Sequence, residues 1–157
     1  TEQEQLGWNV FARAVQMHYL ELFREELGET YSVAMQSAFR ENFSHALAHL
    51  YFQVAPDRAA VVQKRAESEL VRLAKEGVKE EHFTKAKEAV VKGHETDLRR
   101  NEFWLSQLEE KYFYGKPADG IAALGNAINA LSAEDVAAAA KKFLDSSKPM
   151  VGMHLPK

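Results

Sequence analysis

The residues of this chain whose types and spacing invite chemistry are its six histidines, one arginine and one tyrosine. His45 and His49 stand four apart, which on a helix would place both imidazoles on one face. The run from Ala46 to Val54 alternates with period two, so the pair is expected on a strand, where four residues span roughly 13 Å. One zinc ion, with bonds of about 2 Å, cannot take both. His94-Glu95-Thr96-Asp97-Leu98 begins like the helical motif His-Glu-x-x-His, but Leu98 stands where the second histidine belongs. The inverted form, His-x-x-Glu-His, is absent from the sequence. His18, His82 and His154 have no carboxylate or histidine at a recognisable ligand spacing, so no metal site is expected in this chain.

Nucleophilic catalysis has no better footing. There is no cysteine and no Gly-x-Ser-x-Gly elbow, and no glycine-rich phosphate loop either. The adjacent acids Glu80-Glu81 and Glu109-Glu110 would point about 100° apart on a helix, which suits solvation better than general acid–base work. Arg24 and Tyr31 are different. Arg24 is expected in the last turn of a helix, Gly28 at the corner and Tyr31 at the start of a strand. A cation and a phenol would then converge at one end of a sheet, where they could hold a peptide carbonyl or an oxyanion. Against this stands the ordinary role of each: the dipole favours an arginine at a helix C-terminus, and a strand tyrosine is usually core.

The elements that must position this pair follow from periodicity. Leu6, Val10, Ala14, Met17 and Leu20 recur at helical steps, and the helix is expected to run from Leu6 to Leu27 with Gly28 as its cap. From Thr30 the period changes to two, with Tyr31, Val33 and Met35 on one side of a half-buried strand. A polar connection, Arg40-Glu41-Asn42, leads to the second strand, about Ala46 to Val54, on which Leu50, Phe52 and Val54 share a face. So short a link implies antiparallel pairing. Pro56-Asp57 opens a helix with Val62, Ala66, Leu70 and Leu73 inward and Arg65, Glu69 and Arg72 outward; Gly77 ends it. One long helix is expected from Lys79 to about Tyr112, its buried stripe made by Phe83, Val90, Leu98, Leu105 and Leu108, with a bend at Gly93. Pro117 suits the first turn of a helix carrying Ile121, Leu124 and Ile128. Ser132-Ala133-Glu134-Asp135 reads as the cap of a last helix to about Leu144. The run from Pro149 to Pro156 is expected as a final strand.

The expected fold is thus α+β, with helices packed on one face of a mainly antiparallel sheet in the order α-β-β-α-α-α-α-β, forming a single domain over residues 1–157. Three strands are few for so much helix. Together with a first residue that is not Met, this leads to the expectation of a fragment that lacks upstream strands. The open sheet edge would also allow pairing with a second copy, a homo-oligomer.

Composition narrows the partners. The formal net charge is −3, and basic residues alternate with acids, as in Lys75-Glu76 and Lys79-Glu80-Glu81. Phosphate recognition needs clustered cations, so no nucleic-acid partner is expected. No apolar run is long enough to span a bilayer, and no membrane partner is expected either. The absence of cysteine excludes disulfides and thiolate metal sites and does not separate cytoplasm from periplasm.

The segment Arg24-Glu25-Glu26-Leu27-Gly28-Glu29-Thr30-Tyr31-Ser32-Val33 closely resembles one in the C-terminal half of the insulinase/pitrilysin zinc metallopeptidases, in essence Arg-Glu-x-x-Gly-x-x-Tyr-Ser-Val. The resemblance continues in the family's order through Pro56-Asp57-Arg58, Lys75-Glu76-Gly77-Val78-Lys79-Glu80-Glu81, Lys85-Ala86-Lys87, Asn101-Glu102-Phe103-Trp104 and Leu131-Ser132-Ala133-Glu134-Asp135-Val136. It covers nearly the whole chain. Such peptidases have two related halves that close like a clam shell; the N-terminal half carries the inverted zinc motif and activates water. The resemblance implies that this chain is the non-catalytic, substrate-binding half, with Arg24 and Tyr31 holding the substrate backbone. It also implies no cofactor in this chain, zinc in the N-terminal half of a parent, and a peptide substrate that can add as a strand to the sheet. The partner would be that half or a separate zinc-bearing subunit. Lacking the zinc motif, the chain by itself is expected to be inactive. The alternative implied is a non-catalytic binding or assembly subunit of a two-chain processing peptidase, or a scaffold relative.

Overall fold

The computed structural model describes residues 1–40, 45–147 and 149–154, the side chains of 38–40 and 45–46 excepted. The elements are α1 (Glu2–Tyr19), a π-helical continuation π1 (Leu20–Glu26), β1 (Thr30–Arg40), β2 (His45–Val54), α2 (Ala59–Glu76), α3 (Glu80–Asp97), α4 (Asn101–Phe113), α5 (Gly120–Ala130) and α6 (Ala133–Ser146). The class is α+β, as expected: six helices packed with an antiparallel hairpin.

α1 starts at a capping box, in which the Thr1 hydroxyl accepts from the Glu4 amide and the Glu4 side chain reaches back. Leu6, Val10 and Ala14 are buried as the periodicity requires, but so are Trp8, Phe11, Val15 and Tyr19. A helix apolar on most of its faces is a core element. α1 fills that role, packing against α6, α3 and β1. The approach to α6 is close: a Cβ on Gly7 would lie 2.9 Å from the Ala139 Cβ and 3.3 Å from the Asp135 carbonyl oxygen. Gly7→Ala should therefore lower stability, by about 1–3 kcal/mol from overpacking. That exceeds the roughly 1 kcal/mol gained in helix propensity. A denaturant midpoint at or above that of the wild type would show that α6 gives way freely.

The hairpin is registered Val33 to Phe52, Met35 to Leu50 and Gln36 to His49. Along β2 the exposed residues Leu47, His49, Tyr51 and Gln53 alternate with Ala48, Leu50, Phe52 and Val54, which pack on the core. His49 is thus a solvent-facing strand residue, and the backbone of His45 belongs to the same strand, as the alternation implied. Of the expected connection, Glu41 and Asn42 lie outside the described residues.

Several expectations are corrected. The helix from Leu6 to Leu27 is α-helical only to Tyr19, and its last turns are π. Glu69 does not face outward. It is buried, accepting hydrogen bonds from Arg72 and lying 3.2 Å from both Arg65 and the His18 imidazole. The long helix from Lys79 to Tyr112 is two helices, broken at Leu98–Arg100 rather than at Gly93. There the Trp104 indole N–H donates to the Leu98 carbonyl at 2.7 Å, and Arg100 is extended. Leu105 and Leu108 are consequently not core: α4 buries no residue, and Leu105 is 70 % exposed. Pro149–His154 pairs with neither strand, so among the described residues the sheet has two strands. The last two residues of the expected final strand, Leu155 and Pro156, lie outside them. The caps were legible: Ser132 and Asp135 form the capping box of α6, and Gly77 closes α2 at φ +86°.

Candidate substrate-binding site

Arg24 is placed by the turn that ends π1. The wider π turn lets Leu22 and Phe23 both point inward, and Phe23 is fully buried against Tyr19 and Phe52, with ring centroids 5.4 and 5.3 Å away. Its neighbour Arg24 then projects to solvent. Gly28 adopts φ +62°, a conformation that a side chain disfavours. This turn lets the Glu29 amide donate to the Phe23 carbonyl at 2.7 Å and sends the chain into β1.

Tyr31 is placed by a β-bulge. Thr30 pairs with Val54 and Val33 with Phe52, so β1 carries one residue more than β2 over this stretch. The Thr30 hydroxyl holds the irregularity, donating toward the Gln53 carbonyl at 2.6 Å and the Ser32 carbonyl at 2.9 Å. Simple alternation puts Tyr31 on the buried side with Val33. The bulge takes it out of phase, leaving Val33 5 % and Tyr31 85 % exposed.

The two side chains meet. The Arg24 guanidinium carbon lies 5.7 Å from the Tyr31 ring centroid, within cation–π range. They flank an open groove also lined by Gly28, Glu29, Gln53 and Ala55. Glu29 is held there by Arg58, whose Nε donates to its carboxylate oxygens at 2.9 and 3.1 Å while Nη2 donates as well. That bidentate guanidinium keeps the Glu29 carboxyl below its usual pKa range. The groove therefore offers an exposed guanidinium and a phenol at one end of the hairpin. Both suit a peptide carbonyl, a carboxylate or an oxyanion.

The remaining histidines separate. His94 is buried beside Phe103, ring centroids 5.8 Å apart, as part of the helical packing. His18 and His82 come together with Glu21. His18, Glu21 and His82 each bring one potential ligand atom to within 4.8 Å of the others, although no ligand spacing was recognised for either histidine. His82 Nε2 lies 2.9 Å from the Glu21 carboxylate, whose other oxygen accepts from Lys79 at 2.7 Å. The Lys79 hydrogen bond holds the Glu21 carboxyl below its usual pKa range. Burial pushes the His18 imidazole below its ordinary pKa despite the nearby Glu69 carboxylate. Burial pushes Glu69 up, but the hydrogen bonds from Arg72 and His18 outweigh it and leave the carboxyl lowered. The one signal available in the sequence was the three-residue step from His18 to Glu21 on a helix; His82 comes from another element and could not be anticipated.

No protein-family profile matches the chain, and no curated protein does. Solved structures do. The periplasmic protease PqqL from Escherichia coli superposes on 91 % of this chain with a TM-score of 0.75 at 17 % identity. A conserved protein from Enterococcus faecalis superposes on 88 % with a TM-score of 0.76 at 14 % identity. The ferredoxin protease FusC, in complex with Arabidopsis ferredoxin, superposes on 91 % with a TM-score of 0.68 at 17 % identity. The chain spans 16 %, 33 % and 16 % of those three proteins respectively. At such identities what is shared is the fold, and this fold resembles part of two proteases.

Proposed function

We propose that this chain is the substrate-binding, non-catalytic half of a zinc-dependent endopeptidase that hydrolyses peptides or small proteins. The observation that carries the reading is the convergence of Arg24 and Tyr31 at an open groove. A glycine turn at Gly28 and a β-bulge between Thr30 and Val33 bring them there. Neither Arg24 nor Tyr31 contributes to the core. An exposed aromatic stacked under a cation beside a strand end suits an extended peptide better than it suits packing. The fold shared with part of two proteases supports the same reading, as does the sequence resemblance to the insulinase/pitrilysin peptidases.

In this reading the catalytic zinc is held outside this chain, by an N-terminal half of the same parent or by a partner subunit, because the chain has no His-x-x-Glu-His. The metal would supply Lewis-acid polarisation and an activated water. Arg24 and Tyr31 would grip the substrate backbone, with the Tyr31 hydroxyl placed to donate to the oxygen that gains charge.

The test is hydrolysis of quenched fluorescent peptides. The 157-residue chain alone is expected to leave them intact, whereas the parent cleaves them and stops when zinc is chelated. A parent with a degenerate motif and no hydrolysis would reassign the chain as a binding or assembly subunit.

A further inference from the structure

We propose that His18, Glu21 and His82 form a binding site for a divalent transition-metal ion of the zinc class, stapling α3 to the junction of α1 and π1. Two of the donors lie three residues apart where α1 passes into π1, and the third comes from α3, far away in sequence. His18 lies in the last turn of α1, Glu21 in the first turn of π1, and His82 in the first turn of α3. Their potential ligand atoms lie within 4.8 Å of one another. Atoms sharing one zinc at bonds of about 2 Å must be at most about 4 Å apart, so a contraction on the order of 1 Å, within side-chain rotation, completes the set.

Two further observations point to a ligand. Both histidines are 7 % exposed, and each has an Nδ1 atom with no hydrogen-bond partner among the described residues. Buried imidazole nitrogens are ordinarily paired; Trp8 Nε1 and His94 Nε2 are unpartnered too, and what sets His18 and His82 apart is that their rings lie 5.9 Å from each other and beside a carboxylate. A metal bond at the unpaired Nδ1 of His18 leaves its Nε2, 3.2 Å from the Glu69 carboxylate, to be oriented by that group, the arrangement that metal-binding histidines favour.

The cations nearby can yield. Lys79 sits on Glu21 with its side chain 54 % exposed, and Arg72 sits on Glu69 at 42 %. The Lys79 head group can turn to water when a dication takes the Glu21 carboxylate, while Arg72 can stay on Glu69. Two imidazoles and one carboxylate select zinc, cobalt, nickel or copper over magnesium and calcium, which prefer oxygen. This site is distinct from the Arg24–Tyr31 groove and from any zinc held by another half.

The experiment uses the 157-residue chain, stripped with chelator and titrated with Co2+ and then Zn2+. The expected result is one equivalent of Co2+ giving the visible absorption of a low-symmetry site, displaced by Zn2+, with a Tm that rises with zinc and is indifferent to Mg2+. His18→Gln and His82→Gln should weaken binding by roughly tenfold or more, whereas His49→Gln, at a solvent-exposed strand position, leaves it unchanged. Lys79→Ala, which removes a competing ammonium from an exposed position, should tighten binding. That variant keeps the test decisive if either histidine variant fails to fold. No saturable Co2+ absorption, or absorption that survives in folded His18→Gln and His82→Gln chains, overturns the proposal.

Discussion

In the full-length parent, Arg24→Ala should lower kcat/KM for peptide hydrolysis by about tenfold or more, and Tyr31→Phe should do the same. The magnitude follows from the proposed role. A charged or transition-state hydrogen bond in a groove that closes on substrate contributes about 1.4 kcal/mol or more, and each 1.36 kcal/mol is tenfold in rate. The geometry also selects the variants. Because the Arg24 guanidinium rests over the Tyr31 ring, Tyr31→Ala would remove the phenol and release the arginine together. Tyr31→Phe keeps the ring and deletes the hydroxyl alone. Arg24→Lys keeps the charge but loses the planar fork, and it should recover only part of the loss if Arg24 grips a carbonyl or carboxylate through two N–H groups. A fall in kcat with KM unchanged would place the lost bond in the transition state; a rise in KM alone would place it in substrate binding. The double variant should lose less than the product of the single effects, since the two act on one group. Wild-type turnover in both single variants would remove the assignment.

The second large effect is on stability. Phe23→Ala should cost about 3–5 kcal/mol, the range for deleting a buried aromatic and leaving a cavity. Phe23 is fully buried, and its ring meets Tyr19 and Phe52 edge-on, joining π1 to α1 and β2. Around it the Tyr19 hydroxyl donates to the Ala66 carbonyl at 2.6 Å, so the same cluster reaches α2. For a domain of this size a loss of that order lowers Tm by roughly 10 °C. Denaturant unfolding should show a lower midpoint with the slope unchanged. Leu105→Ala on α4, where the side chain is 70 % exposed, is the control and should shift stability by under about 0.5 kcal/mol. If the two variants were equally mild, Phe23 would not be anchoring the turn that carries Arg24.

These effects show where the chain's design was legible and where it was not. Period-two alternation located both strands, and the swap from helical to strand period at Thr30 placed the hairpin to within a residue or two. Caps were legible because they are local chemistry: Ser132 with Asp135, and Gly77 and Gly28 at positive φ. Arg24 and Tyr31 were singled out by spacing around Gly28, and the fold brings them together.

What local pattern could not decide was which face each residue takes. Tyr31 belongs by alternation with Val33. Only the pairing with β2 reveals the extra residue that turns it outward, because a bulge is defined by two strands and not by one. Glu69 belongs by composition to a solvated face. Its burial depends on Arg72, Arg65 and His18 arriving from two helices to satisfy the carboxylate. The break at Leu98 depends on Trp104 folding back to take a carbonyl, where Gly93 was the weaker link on propensity alone. The clustering of His18 and Glu21 with His82 is of the same kind. Helical periodicity sets Glu21 three residues after His18, but only the packing of α3 on α1 supplies the third donor. Local order is carried by the backbone's own preferences and could be read from the chain. Juxtaposition is decided by side chains distant in sequence that share one buried space, and the tertiary structure alone determined it.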